Sequence, residues 1–332
     1  MSKLKSSLFF TALFGFSAAL SAQTLNVYTY DSFSAEWGAG PKIKAQFEAN
    51  HPQCEVNYVP FDSAGTLFNR LRLEGKKTNA DVVIGLDNSM LEEARRSGLF
   101  AEHSLDLTQL AVPNGWVDPI FVPYDFGQYA FIYDKDKLPN PPSSLKELVE
   151  RQDLRVIYQD PRTSSVGRGL VIWLNAIYPA EQVTQAWQTL AKHTVTVGKG
   201  WSETYGAFLK GEADLVLSYN TSPLYHLLNE QKANYAAAEF SEPAVLQIET
   251  AAKLAQRDNA CAAPFMQFLL EPQAQKEIAL GNVMLPVISA EIEPHFDALK
   301  AKQAQKSVVD TTKISAQDLK SWIAVWQNGL TK

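Results

Sequence analysis

Residues 196–226, TVGKGWSETYGAFLKGEADLVLSYNTSPLYH, hold two strand ends and two helix starts, and their reading decides the fold class. Val195 to Gly198 closes a strand. Apolar residues at 201, 205, 208 and 209 share one helical face, which predicts a helix over 201–210 that Gly211 stops. Asp214 to Tyr219 is a short apolar run suited to a buried strand. Asn220, Thr221 or Ser222 can cap the next helix, with Pro223 tolerated in its first turn. A strand running into a helix N-terminus presents free N–H groups beside hydroxyls, so small polar ligands are natural guests there. Of the five rings in this stretch, Tyr205 and Phe208 read as core. Trp201, Tyr219 and Tyr225 stand at element ends, where clefts form.

Outward from this stretch the chain alternates strand and helix signals, as an α/β protein does. TLNVYTY (24–30) reads as a strand, 37–48 as a helix around Pro41, 54–59 as a second strand. Residues 63–74 form a helix pattern with Leu67, Phe68 and Leu71 on one face and Gly75 at its end. ADVVIGL (80–86) is a near-continuous apolar run, as in a central parallel strand, and Asn88 is the expected cap of a helix over 90–97. The series is one half of a doubly wound sheet. Ligands gather beyond the carboxyl ends of its strands, where Tyr30, Asp62 and Asp87 fall.

VPYDFGQYAFIYD (122–134) is an extended aromatic stretch able to pass from one lobe to another, and VLQIETAAKL (245–254) reads as the strand that returns. Helices over 262–270, 273–280 and 316–326 are expected to rejoin the first lobe. The domain plan is therefore 23–122 plus 252–332 in one lobe and 123–251 in the other. Two linking strands make a hinge, and so a cleft that can close on a ligand. One large sheet with insertions is the alternative layout.

With 332 residues the chain exceeds one comfortable core, which favours two lobes. A hydrophobic content of 46% with 20% charged residues describes an ordinary globular protein. The net charge of −6 comes with no basic stripe, which argues against nucleic acid as a partner. Residues 1–22 have the layout of a cleaved secretory signal: Lys3 and Lys5, an apolar run over 8–16, then small residues to Ala22. The run is too short to span a membrane, so the mature chain is expected to start at Gln23 as an exported protein. Cys54 and Cys261 either form one disulfide or remain two buried thiols. Their spacing fits no redox or metal motif, and neither a metal nor a cofactor is expected.

DPRTSSVGRG (160–169) lies where a strand gives way to a helix. Ser164, Ser165 and nearby N–H groups can hold an anionic or hydroxyl-bearing end of a ligand, with Arg162 or Arg168 adding a charged hydrogen bond. An ordinary capped helix start is the competing explanation, and the glycine-lysine pair of a Walker loop is missing.

YTYDSF (28–33), NRLRLEGK (69–76), ADVVIGLDN (80–88), YQDPRTSS (158–165), TVGKGWSETYGAFLKGEADLVLSYNTSP (196–223) and NYAAAEF (234–240) together resemble the thiamine-binding periplasmic proteins of bacterial ABC importers. The similarity spans essentially the whole mature chain in the same order. It implies a type II periplasmic binding fold, two doubly wound lobes joined by a two-strand hinge. It implies thiamine and its mono- and diphosphate as ligands, an inner-membrane ABC permease as partner, and a monomeric protein without catalysis. Matching positions for ligand contact are Ser164, Ser165, Trp201, Tyr219, Asn220, Thr221 and Ser222, with Tyr225 for ring stacking. Tyr30 and Trp37 match more loosely, at the cleft edge. Where the family places an acidic residue followed by glycine, this chain has Ser63-Ala64 flanked by Asp62 and Gly65. Either Asp62 does the acid's work or that contact falls to backbone groups.

A thiazolium is a flat ring with a fixed positive charge, so an aromatic cage is expected to suit it better than a buried carboxylate pair. Two rivals follow from the same architecture. A thiaminase-like enzyme needs Cys54 or Cys261 as a nucleophile in the cleft. A ferric-ion receptor would use Tyr219 and Tyr225 as phenolate ligands, with His226 the one histidine close by.

Overall fold

The computed structural model describes residues 22–330, so the signal-peptide expectation for 1–22, apart from Ala22, lies outside the described residues. In chain order the first part runs β1 (Gln23–Tyr30), α1 (Asp31–Ser34), α2 (Gly40–Asn50), β2 (Cys54–Phe61), α3 (Ala64–Glu74), β3 (Val82–Asp87) and α4 (Leu91–Ser97). β1 pairs in parallel with β2 along its whole length and with β3 on its other side. The predicted elements are all present. Leu67, Phe68 and Leu71 bury one face of α3, and Gly75 ends it. Asn88, however, does not cap α4. Its amide bonds the end of the returning strand, accepting from Ile248 N at 2.9 Å and donating to Leu246 O at 3.2 Å. Backbone groups at a strand end lack ladder partners, and this side chain supplies them.

β4 (Val122–Asp134) is a single strand of 13 residues serving both lobes. The second part continues through α5 (Leu145–Glu150), β5 (Val156–Gln159), α6 (Ser165–Ile177), α7 (Ala180–Ala191), β6 (Thr194–Gly198), α8 (Trp201–Leu209), β7 (Leu215–Tyr219), α9 (Ser222–Asn229) and β8 (Tyr235–Ala237). The chain then returns on β9 (Leu246–Lys253) to α10 (Ala262–Phe268), α11 (Pro272–Asn282), β10 (Leu285–Pro286), α12 (Pro294–Gln303) and α13 (Ala316–Leu330). The strand order is β2-β1-β3-β9-β4-β7-β5-β6. Residues 122–128 of β4 pair with β9, and residues 129–133 pair with β7. Hydrogen bonding is thus continuous through β4, but the hydrophobic cores are separate on either side of it. One pair of clusters, around Phe47 and Phe265 and around Leu67 and Met90, covers both faces of the β2-β1-β3 sheet. Another pair, around Trp173 and Trp187 and around Tyr205 and Val216, covers both faces of β7-β5-β6. These are two doubly wound lobes with β4 and β9 as the hinge.

The last helix departs from expectation. The domain plan read from the sequence puts 252–332 in the first lobe, yet α13 packs on α6 and α7 of the second. Trp326 and Leu319 join the Trp187 core, and Trp326 Nε1 donates to Tyr158 OH at 3.1 Å. The physical reason is α6. It is apolar on nearly every side, with residues 165–174 all buried, so the sheet alone cannot cover it. Cys54 and Cys261 are bridged, with Cα atoms 5.9 Å apart, joining the start of β2 to the start of α10.

Candidate functional site

A cavity of about 300 Å³ lies between the lobes, within the size range of small-molecule sites. Five helix starts, those of α1, α3, α6, α8 and α9, and the end of α11 wall it, and the hinge strands floor it. From the first lobe come Tyr30, Trp37, Asp62, Ser63 and Ala64 of the predicted set. The second lobe contributes Ser164, Ser165, Trp201, Tyr219, Ser222 and Tyr225. Asn220 and Thr221 do not reach it. Successive residues at a strand end project to opposite sides, so Asn220 follows Tyr219 onto the far face and lines a separate small cavity with Gln128 and Gln303. Thr221 is buried at the N-cap position of α9.

The rings are held from behind. Trp201 stacks on Tyr205 with centroids 4.8 Å apart, and Tyr205 on His226 at 5.8 Å. Trp201 Nε1 donates to Ser218 Oγ at 2.7 Å, and that hydroxyl pairs with Ser222 Oγ at 2.7 Å. Tyr205, expected in the core, is buried there and also lines the cavity. His226 is buried between Tyr205 OH and Glu230 Oε2, each at 2.9 Å. Trp37 stands half-exposed at the mouth, 6.3 Å from Trp201 across the cleft.

The lobes touch at a seam. Ser202 Oγ donates to Asp31 Oδ1 at 3.1 Å, and Ser63 Oγ donates to Thr163 O. Gly65 is required here, because a Cβ at this position would sit 2.1 Å from Thr163 O. Ser63 also caps α3, accepting from Thr66 N at 3.2 Å, while Asp62 beside it faces the cavity. At the opposing helix, Ser164 makes no capping bond, and Ser165 Oγ is buried with no partner. Neither arginine of the 160–169 loop lines the cavity. Arg162 pairs with Asp160, and Arg168 is buried behind the serines, 3.8 Å from Glu93.

Sequence reasoning missed the floor. Glu249 and Gln247 of β9 and Asn282 at the end of α11 line the cavity below Tyr30 and Tyr219. Tyr30 OH donates to Glu249 Oε2 at 2.7 Å, and its ring lies against Gly85, where a Cβ would come within 2.4 Å of the ring. Tyr219 OH donates to Gln247 Oε1 at 3.0 Å, and Gln247 Nε2 donates to Glu249 Oε1 at 2.8 Å. Val283 adopts a left-handed backbone, φ 54°, which β-branched residues avoid, at the turn that follows Asn282. A buried carboxylate pair, Asp125 and Glu249, therefore underlies the aromatic walls, contrary to the expectation of a cage alone. The signal for it in the sequence is an acidic residue inside each linking strand, Asp125 in VPYDFGQYAFIYD and Glu249 in VLQIETAAKL.

The disulfide takes up both cysteines of the chain, which removes the thiolate that a thiaminase-like enzyme requires. Among the described residues no group of three or more His, Cys, Asp or Glu is placed to hold a metal ion.

A family model described as bacterial extracellular solute-binding protein matches residues 38–276. The thiamine-binding periplasmic protein of Haemophilus influenzae is 61% identical over 333 residues, covering 100% of both chains. That of Escherichia coli is 51% identical, covering 93% of this chain and 94% of its own. A solved structure titled periplasmic thiamin binding protein superposes with a TM-score of 0.87 at 48% identity, over 94% of this chain and 97% of that one. A ferric binding protein from Campylobacter jejuni shares the fold, with a TM-score of 0.73 at 20% identity over 92% of this chain and 99% of that one. The chain belongs to the bacterial extracellular solute-binding protein family, among its thiamine-binding periplasmic members.

Proposed function

We propose that this periplasmic solute-binding protein captures thiamine and its mono- and diphosphate esters in the interlobe cavity, as a monomer, and delivers them to an ABC permease in the inner membrane. The observation that carries the reading is one interlobe cavity lined by Trp201, Tyr219 and Tyr225 together with the uncapped start of α6. Ring faces attract a thiazolium by roughly 0.5–2 kcal/mol each, depending on desolvation. Free N–H groups at a helix start, with the unpartnered Ser165 hydroxyl, suit the phosphate of an ester. Asp62 supplies an acceptor for the pyrimidine amino group. No bond of the ligand changes. Closure of the lobes about β4 and β9 forms the surface a permease reads, and transport energy comes from a separate ATPase. On this reading one lobe comprises 23–122 with 252 through α12, and the other 123–251 with α13.

Calorimetric titration with thiamine and the two esters tests the reading. Trp201→Ala and Tyr225→Ala should each weaken binding roughly tenfold or more, a loss of about 1.4 kcal/mol, with the thermal melt intact. Titration curves that match the unaltered protein for both variants would remove these rings from the site.

A further inference from the structure

Asp125 and Glu249 are partners across the two hinge strands and are both buried. Their surroundings differ. Glu249 Oε2 accepts from Tyr30 OH at 2.7 Å, Tyr124 OH at 3.1 Å and Asn282 Nδ2 at 3.1 Å, and Oε1 accepts from Gln247 Nε2 at 2.8 Å. Asp125 accepts only from the Asn282 amide, and no donor reaches its Oδ1. Four donors around one carboxylate give it the solvation that an ionised group needs, whereas one donor and an oxygen that accepts from none suit a neutral acid.

Burial, with the charge of Glu249 beside it, pushes Asp125 well above the usual carboxylate range. Burial and the nearby Asp87 carboxylate also raise Glu249, but hydrogen bonds from Tyr30, the Asp125 acid and Tyr124 oppose the rise. Among the described residues neither carboxylate pairs with a basic side chain, although Glu249 lines the cavity. A buried, hydrogen-bonded charge without a counter-ion is a costly arrangement that an arriving cation relieves.

We propose that Glu249 is the counter-charge of the site, a specificity-determining residue that makes the cleft prefer a permanently cationic ring to a neutral ring of the same shape. The aromatic walls alone accept both. This inference rests on the thiamine reading and names the group that enforces its charge requirement.

The test titrates thiamine and its thiophene isostere, in which carbon replaces the charged ring nitrogen, into the mature protein, Glu249→Gln and Asp125→Asn. The unaltered protein should prefer thiamine by at least roughly tenfold. E249Q should lose that preference while still binding the isostere, which shows that its pocket is intact. D125N should keep the preference, since the charge stays on Glu249. An E249Q protein with the original preference, or a D125N protein without it, overturns the proposal. Should E249Q fail to fold, the E249Q/D125N double variant, which removes both carboxylates of the pair, carries the same expectation and the same refutation. An unaltered protein that binds no thiamine overturns instead the functional reading beneath it.

Discussion

The starts of α3 and α6 face each other across the cleft, each with a serine at the N-cap, and they use it differently. Ser63 turns its oxygen onto Thr66 N and satisfies its own helix. Ser164 leaves the first turn of α6 uncapped, and the hydroxyl of Ser165 beside it is buried without a partner. A capped start is a structural joint; an uncapped one aimed into a cavity keeps its donors for a guest. The joint side also carries the seam, since Gly65 in the first turn of α3 lies against Thr163 O.

The largest effect should come from breaking the seam. Gly65→Val places side-chain atoms where Thr163 O now sits, so the lobes cannot meet. Thiamine affinity should fall roughly a hundredfold, about 2.8 kcal/mol, and small-angle scattering should show an open shape even with ligand present. Retained affinity with a closed shape would mean that the seam is not needed.

Ser165→Ala sharpens the contrast between the two starts. It should reduce the preference for thiamine monophosphate over thiamine by up to about tenfold, as for a lost hydrogen bond to a charged group, and leave thiamine itself nearly unaffected. An equal loss for both ligands would assign the hydroxyl to the ring end.

Acid separates the helix starts from the titrating floor below them. Asp125 has a folded pKa above its unfolded value, so the native state holds more protons once pH exceeds about 3.9. The stability this contributes is full below that value and is lost as pH rises, by at most about 1.4 kcal/mol per pH unit for one proton. Melts of the ligand-free protein and of D125N, compared from acid to neutral pH, should show this decline as a difference between the two, D125N gaining on the unaltered protein as pH rises. Ser63→Ala is the smallest change. Loss of the α3 cap should cost about 1 kcal/mol in a denaturant melt without altering the ester preference. A shifted preference would make Ser63 a ligand contact as well as a cap.

Much of the architecture was legible because local pattern and tertiary role coincide. The 13 residues of β4 read as a crossing because no ordinary turn signal interrupts them. The rings at 201, 219 and 225 read as cleft residues because element ends in this fold class point there. Elsewhere pattern gives a face without saying what it meets. The apolar side of α13 is visible in the sequence, but that it covers α6 depends on how much of α6 the sheet leaves bare. Asn220 and Thr221 carry the same polar signal as Ser222, and only the strand's alternation separates the far face from the near one. Glu249 sits in a strand whose period is clear, yet its meaning comes from Tyr30, Tyr124 and Asn282, drawn together from three distant segments.

The bond between Cys54 and Cys261 closes a covalent ring around everything from β2 to the start of α10, including residues 123–251 of the second lobe. A protease nick in any loop within that ring leaves two pieces that still travel together, and they separate on a denaturing gel only after a reductant is added.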